Sequence, residues 1–560
     1  MKTATQNIRL TFDDGRVKEC PPRTVILNVL DFAVSPGGKP YIAALVNNDI
    51  TSLSYPVEHD SEIRLLTMDD PEGRPVFQRS MAFLLAKTVR ELYPEALCSV
   101  DYAVGSGLYC TFESRPGNGN GGITAEQVRA IHARMKELVK ANLPIERKKI
   151  SFGEVTRRLT EAGQTDKLNL LRFRNPPRVV IHECDGFYDL AQGPLAPGTG
   201  ALNCFELIHY PPGFVLQLPA AGEHCVPPFK DQPHLFTIFR QHKEWGRTME
   251  VNTVGRLNEI IVNGNIGDFV KVAEALHEKN VAGIADEIYR RRDRARIVLV
   301  AGPSSAGKTT FSKRLGVQLR VNGVHVSMIS LDNYFFGMDR TPKEEDGKPD
   351  FEHIDAIDRE LFEENMRQII DGKEVELPEF NFETKQRVYR GQRVKLGKNS
   401  VLIIEGIHGL NPGLAPMVPA EAQFKVYVSA LTQLSVDANN RISTTDNRLL
   451  RRMVRDHKYR ANSALKTLKM WFSVRRGEER WIFPFQGQAD ATFNSALDYE
   501  IAVLKLLAEP LLMEVTPFDR EYAEARRLTA FLQNFIGMSD REVPHTSMLR
   551  EYIGRSSFRY

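Results

Sequence analysis

The chain has 560 residues, with 42% hydrophobic and 26% charged residues and a formal net charge of +3. That length is more than one hydrophobic core sustains and suggests about three to four domains. The composition is that of an ordinary globular protein, and the near-neutral balance argues against a chain that is basic throughout and built to coat nucleic acid, while leaving local basic patches open. Six cysteines, Cys20, Cys98, Cys110, Cys184, Cys204 and Cys225, form no CxxC pair, and residues 226–560 contain none. This excludes a disulfide scaffold and a zinc ribbon and fits a reducing compartment. The opening MKTATQNIRLTFDDG lacks the apolar stretch of a secretory leader, and no run approaches the ~18 apolar residues of a membrane span. The expectation is a soluble, cytoplasmic protein without membrane association.

In chain order, Ile8, Leu10 and Phe12 alternate with polar residues before Asp14-Gly15, a hairpin signal, and YIAALVN and EIRLLTM supply further strands. MAFLLAKTVRELY predicts an amphipathic helix carrying Leu84, Leu85, Val89 and Leu92 on one side. Helices and strands, including RVVIHEC, then mix up to about residue 228. PGNGNGG (116–122) reads as a loop and PPGFVLQLPAAGEHCVPPF as a boundary. DFVKVAEALHEK and VAGIADEIYRRR predict two connector helices. From Arg296 the apolar runs RIVLVAG, HVSMISLD, VLIIEG and FKVYVSA alternate with helical segments, which predicts a parallel sheet covered on both faces.

The run Gly302-Pro303-Ser304-Ser305-Ala306-Gly307-Lys308-Thr309, followed by Thr310, fits GxxxxGK[ST] between a strand and a helix. Such a loop lets backbone N–H groups and a helix N-terminus cradle phosphates. Lys308 would neutralise the β- and γ-phosphates of ATP, and the Thr309 hydroxyl would ligate Mg2+. The competing reading is a Gly-rich turn that caps a helix. Glu405 ends an apolar strand and could hold Mg2+ through water, or could be a solvated edge carboxylate. Asp332 could accept the proton of an attacking hydroxyl, or could be a turn or cap residue. In DNRLLRRMVRD, Arg448, Arg452 and Arg455 share one helical face that could clamp phosphates or simply face solvent. No NKxD motif of a switch GTPase occurs.

The order of these motifs over about 295–515 resembles the uridine kinase branch of the uridine kinase/phosphoribulokinase family. The resemblance implies a catalytic Asp at Asp332 in SLDNYF and an aromatic nucleoside contact at Phe335. In PDFEHIDAID the family's ribose-contacting Asp falls on Glu352, and in LPEFNFETKQR its aromatic falls on Phe380 while its base-reading His falls on Lys385. LIIEGI gives Glu405, and DNRLLRRMVRD resembles the family's lid helix, which makes Arg452 and Arg455 transition-state and nucleotide contacts. The changes at Phe380 and Lys385 remove hydrogen bonds that would read a pyrimidine, so uridine is a default acceptor.

Residues 7–68 resemble the TGS module of threonyl-tRNA synthetases, and the segment after them resembles those enzymes' editing domain. FQRSMAFLLAKTVRELYPEA matches the helix that carries two His four apart, and YDLAQGPLAPGTG the segment that carries a Cys and a His four apart. The corresponding residues are Arg79, Phe83, Ala191 and Leu195. None replaces an imidazole or thiolate as a metal ligand or general base, and His182, Cys184, Cys204 and His209 do not restore the spacing.

The expected fold class is therefore α/β: a P-loop NTPase-type parallel sheet with helices on both faces, preceded by a small β-grasp-like TGS module and an α+β editing-like domain. The expected boundaries are 1–68, 69–228, a helical connector at 229–293, and a kinase-like domain at 294–560. The implied function is ATP·Mg2+-dependent phosphoryl transfer to a small-molecule hydroxyl, with a nucleoside as the default acceptor. The rivals are an RNA-associated ATPase that uses the N-terminal half and a regulatory module with a degenerate kinase. Self-association is a weak expectation from the resemblance alone.

Overall fold

The computed structural model describes residues 7–114, 122–220, 222–223, 225–344, 347–381, 384, 386–414, 416 and 418–560. The expected loop at 116–122, except residue 122, and Lys385 thus lie outside the described residues. The chain divides into two compact units. The first comprises 1–263, 433–442 and 509–537; the second comprises 264–432, 443–508 and 538–560.

The first unit opens with strands β1 (Ile8–Phe12), β2 (Val17–Cys20), β3 (Ala43–Val46), β4 (Asp49–Thr51) and β5 (Ser61–Leu66), in sheet order β2-β1-β5-β3-β4. The Asp14-Gly15 turn joins β1 to β2 antiparallel, with Gly15 in the left-handed region, and β1 runs parallel to β5. Alternation puts Ile8, Leu10 and Phe12 in the core and Arg9 outside. Helix α1 (Gly73–Leu92) buries Leu84, Leu85 and Val89, whereas Leu92, at its frayed end, is exposed.

The remaining sheets of this unit are built from β6 (Leu97–Val104), β7 (Gly107–Glu113), β8 (Glu146–Ser151), β9 (Arg178–Cys184), β10 (Phe187–Asp189), β11 (Glu206–Tyr210) and β12 (Gly213–Gln217). Their orders are β8-β9-β10 and β11-β12-β7-β6. The segment 211–229 contains β12, which is buried along its whole length and centred on Phe214, Val215 and Leu216.

A buried ion pair ties the later segments into this unit. Lys167, on helix α2 (Thr165–Arg172), is 1% exposed; it pairs with Asp189 and donates to Asn439 Oδ1 at 2.9 Å. Burial opposes its charge, but Asp189, Asp437 and Asp166 outweigh burial and lift its pKa above the ordinary lysine value. The Ala438 N–H donates to Asp166 at 2.8 Å, and Asp437 accepts from Asn439 N, Asn440 N and the Asn440 amide.

In the second unit, one helix, α3 (Ile266–Arg291), replaces the two expected connector helices. No proline interrupts it, and a Cβ at Gly283 would meet nothing within 4 Å, so nothing there forces a break. The sheet follows as β13 (Ile297–Ala301), β14 (His325–Ser330), β17 (Ser400–Glu405), β18 (Gln423–Ser429) and β19 (Ala491–Asn494), all parallel, in the order β14-β17-β13-β18-β19. Between β14 and β17 lies an antiparallel hairpin, β15 (Val375–Asn381) with β16 (Gln386–Val394). Helix α4 (Lys308–Val321) packs beside α3, with the Phe311 ring centred 4.7 Å from that of Phe493 of β19 and tilted against it. On the opposite face, helix α5 (Arg359–Ile370) contributes Phe362, Met366 and Ile369 to a cluster with Ile297, Leu299 and Ile404. Strands covered on both sides read as unbroken apolar runs, and this made them visible in the sequence.

Breaking the Lys167 pair strands Asp189 and Asp437 in the core. Lys167→Met is expected to cost about 3–5 kcal/mol in guanidinium unfolding, and Asp189→Leu added to it should recover a large part.

Candidate active site

The site forms at the carboxyl edge of the parallel sheet, where the connections on either side of β13 diverge. Gly302 follows β13 so closely under β18 that a Cβ would sit 2.0 Å from the Val428 carbonyl oxygen, so only glycine fits. Ser305 (φ 58°) and Gly307 (φ 85°) take left-handed conformations, which turn the loop 302–307 back over the start of α4. Lys308 Nζ donates to the Pro303 carbonyl at 3.3 Å. Thr309 Oγ1 and Ser330 Oγ both donate to Glu405 Oε1, at 3.3 and 3.0 Å. The register explains this meeting, since Glu405 pairs with Val300 of β13 on one side and Ser330 of β14 on the other. The strand expected to end at Asp332 stops at Ser330, and Asp332 lies in a 3-10 turn, Leu331–Tyr334, that carries it past the sheet edge.

The carboxyl groups are held above their ordinary range. Burial, then the charge of Asp332, pushes Glu405 up to about 7 against the attraction of Lys308. Burial also raises Asp332, opposed by Lys308, Arg460 and Arg455. Thr309 and Glu405 together present two hard oxygens beside the loop, a donor set that suits Mg2+ with water and phosphate completing its shell. Among the described residues no three His, Cys, Asp or Glu side chains converge as a metal cluster.

Helix α6 (Thr444–Arg460) brings three arginines, Arg448, Arg451 and Arg452, to the loop. Arg448 forms a two-bond pair with Glu478, both at 2.5 Å, and donates to the Ser304 carbonyl at 3.3 Å; Glu478 in turn accepts the Ser304 N–H at 3.0 Å. Arg451 pairs with Glu500 and donates to the carbonyls of Ser495 and Ser305, at 2.7 and 3.4 Å. Arg452 donates to Ser304 Oγ at 2.7 Å. Asp456, fully buried, gathers Arg452, Arg455 and Arg460 at 3.3, 2.9 and 3.4 Å. Arg448 and Arg451 therefore brace the loop backbone, Arg452 holds the Ser304 side chain, and Arg455 is held by Asp456.

On the acceptor side, Phe335 and Phe380 stand edge to face at 5.8 Å, and Phe351 packs on Phe335 at 5.7 Å. Both Phe335 and Phe380 are largely buried in the apolar cluster beneath the site. Glu352 lies against helix α7 (Ala464–Trp481), where Gly477 makes room for it: a Cβ there would fall 2.3 Å from the Glu352 Cβ. Its Oε2 is buried without a hydrogen-bond partner among the described residues. Burial, then Glu478, pushes Glu352 up to about 7 against Arg452 and Lys308.

Sequence reading missed Arg451, Asp456, Glu478 and His408. The imidazole of His408 is fully buried with both ring nitrogens unpartnered among the described residues. Burial, then His353 and Lys308, holds it neutral, near 3. Glu478 carries no motif of its own, and a surplus of arginine in 448–460 was the one signal for it; Asp456 closes the motif DNRLLRRMVRD at i,i+4 from Arg452.

In the first unit, Phe83 and Leu195 are packed into one apolar cluster with Ile145 and Cys184, and Ala191 lies against it. Arg79 donates to the Pro194 carbonyl at 3.3 Å. His182 is buried and neutral, near 3, through burial and then Arg147 and Arg79, and His209 bonds to the Ile123 carbonyl. These side chains assemble no metal or nucleophilic centre.

Residues 297–502 match the family model described as the Phosphoribulokinase / Uridine kinase family. The N-terminal half is related to threonine–tRNA ligases. Those of Thermotoga petrophila and Thermotoga maritima are 33% and 34% identical over 203 residues, which is 36% of this chain and 30% of theirs. The ligase of Anoxybacillus flavithermus is 34% identical over 36% of this chain and 31% of its own. The chain thus spans less than a third of the length of these curated relatives. Among solved structures, a possible uridine kinase from Bacillus stearothermophilus shares 18% identity at a TM-score of 0.27, over 39% of this chain and 98% of that one. A D-glycerate 3-kinase from Cryptococcus neoformans shares 15% at 0.22, over 46% and 87%. TM-scores this low assign nothing about activity.

The raised pKa of Glu352 has a consequence for stability. Its folded value of about 7 exceeds the ordinary 4.5, so the folded chain keeps a proton that the unfolded chain has released. The stability this supplies is complete below about 4.5 and is lost as pH rises through about 7. Glu352→Gln is expected to flatten that loss and to stabilise the protein at pH 8 by about 1–3 kcal/mol, read by guanidinium unfolding at pH 5 and pH 8.

Proposed function

We propose that this protein is an ATP-dependent kinase that phosphorylates a hydroxyl group of a small molecule, with a nucleoside as the first candidate. The observation that carries the reading is the meeting of Lys308, Thr309, Asp332 and Glu405 at the mouth of a strand–loop–helix phosphate cradle. The match of 297–502 to a kinase family model supports it. Three guanidinium groups around the single carboxylate of Asp456 leave a cationic surplus beside the loop, as a polyphosphate requires.

In this reading Gly302–Thr310 hold ATP, with Pro303, Ser304, Ser305 and Ala306 forming the wall of the loop. Thr309 and Glu405 would hold Mg2+, which would draw off charge from the β- and γ-phosphates. Asp332, raised above the ordinary carboxylate range by burial, takes the proton of the acceptor hydroxyl. The hydroxyl oxygen attacks the γ-phosphorus, the bond to the β-phosphate oxygen breaks, and ADP leaves. Lys308, Arg452 and Arg455 neutralise the transferring group. Glu352 would accept hydrogen bonds from acceptor hydroxyls, and Phe335 and Phe380 would form the apolar floor beneath it, with Lys385 as a further contact.

The same reading keeps 1–68 as a TGS-like module, 69–228 as an editing-like domain without editing chemistry, 229–293 as a connector and 294–560 as the kinase region, in a cytoplasmic protein. No helix among the described residues is long and apolar enough to cross a membrane.

The decisive assay is ADP release with Mg·ATP across nucleosides, sugars and sugar phosphates. One class is expected to stimulate turnover, and Asp332→Asn should lower that turnover about 10²–10⁴-fold. Stimulation by RNA alone, with no response to any hydroxyl compound, would overturn the proposal in favour of an RNA-dependent ATPase.

A further inference from the structure

Thr310 lies in the first turn of α4 and is the last of the residues assigned to ATP. Its N–H and its hydroxyl are both already engaged, and by the far end of the sequence. Glu551 Oε2 accepts from the Thr310 N–H at 3.2 Å and from its hydroxyl at 2.5 Å. The Tyr560 hydroxyl lies 2.9 Å from the same Thr310 oxygen. Lys313, one turn further along α4, donates to the Arg559 carbonyl, and its ammonium stands 5.6 Å from the centre of the Tyr560 ring.

The root of this segment is fixed. Tyr552, fully buried, donates to the Ser305 carbonyl at 3.0 Å and lies 5.1 Å from the Arg451 guanidinium. Met548, also fully buried, packs so closely on Gly307 that a Cβ there would come within 2.7 Å of Met548 Cε. The Ile553 carbonyl accepts from Lys458 of α6 at 2.6 Å. Within the root, Glu551 is only half-buried, and beyond it Arg555, Ser557, Arg559 and Tyr560 are exposed. A rigid anchor thus presents one carboxylate and a short outer segment to the phosphate loop.

The unpaired N–H groups in the first turn of a helix are the donors that a phosphate loop offers its ligand. Glu551 occupies one of them and also the adjacent hydroxyl, and it places a negative charge where a nucleotide would bring several. Like charges cannot share such a site without a large penalty. We propose that residues 551–560 form an autoinhibitory strap in which Glu551 competes with the nucleotide's phosphates for Thr310. This inference rests on the kinase reading and adds regulation to it. Because Met548 and Tyr552 hold the root, the carboxylate is present at high effective concentration. Nucleotide binding swings Glu551 and 555–560 outward and leaves Tyr552 in place. A partner that captures 555–560 would raise nucleotide affinity, and nucleotide would raise affinity for that partner to the same extent.

A purely structural brace and a strap predict opposite signs. Mg·ADP and Mg·ATP binding to the full chain, measured by calorimetry, is expected to tighten about tenfold or more in Glu551→Gln and Glu551→Ala. Hydrogen exchange in 554–560 of the unaltered chain is expected to speed up when Mg·ADP is added. Equal or weaker binding by both variants would overturn the strap. Should the variants not fold, unchanged protection of 554–560 with Mg·ADP bound would overturn it equally. If acceptor-dependent turnover is found while the variants bind as the unaltered chain does, the strap falls and the kinase reading stands. If neither the chain nor its variants bind Mg·ADP or Mg·ATP, both fall together.

Discussion

Arg448 and Glu478 meet in a pair whose side chains are 2% and 0% exposed, and the carboxylate that holds the arginine also accepts the Ser304 N–H. Arg451 repeats the arrangement one turn along, with Glu500 as its partner and the carbonyls of Ser305 and Ser495 as further acceptors. Ser495 closes the ring by donating to the Ala306 carbonyl at 2.5 Å. Burying two ion pairs is costly, and apolar residues could fill the same space as stably. What they supply is position. The loop backbone contains two left-handed residues and turns several of its N–H groups toward the site, a conformation that must be fixed from outside. Polar groups beneath it do so with directional bonds that apolar packing lacks.

This changes the meaning of α6. Its sequence suggests a lid of arginines, and Arg452 bonds to the loop at Ser304. Arg448 and Arg451, by contrast, belong to the foundation. One helix therefore joins the part that must stay still to the part that faces the phosphates, and Asp456 spaces the outer guanidinium groups so that they do not repel one another apart.

Much of this was legible in the sequence because it is local. The strands of the parallel sheet are continuous apolar runs, and GPSSAGKTT lies between one of them and a helix. The pairing of Thr309 with Glu405 follows from a strand register that the motif order implies. Glu478 and Glu500 were invisible for the opposite reason: a carboxylate 30 or 49 residues from its arginine leaves no periodic trace. The same holds for Glu551, 241 residues from Thr310. The connector helices were divided where the structure has one, since a glycine weakens a helix in propensity without stopping it. In the first unit the lost imidazoles were legible, whereas the packing that replaced them was not: Phe83 and Leu195 have become part of a core with Cys184.

The first unit is assembled from three stretches of chain, the last ending at residue 537. Ala523 lies in its main apolar core, and Asn439 bonds to Lys167. On the ribosome, residues 1–263 emerge long before either of these, and must wait with an incomplete core and a cationic side chain short of its partners while the whole parallel sheet is being made. Chains grow at about 5–20 residues per second, so that wait lasts on the order of ten seconds or more. The fragment 1–263 released alone would carry the same deficit permanently. Both units are thus completed only by the last stretches made, the first by 509–537 and the second by 538–560.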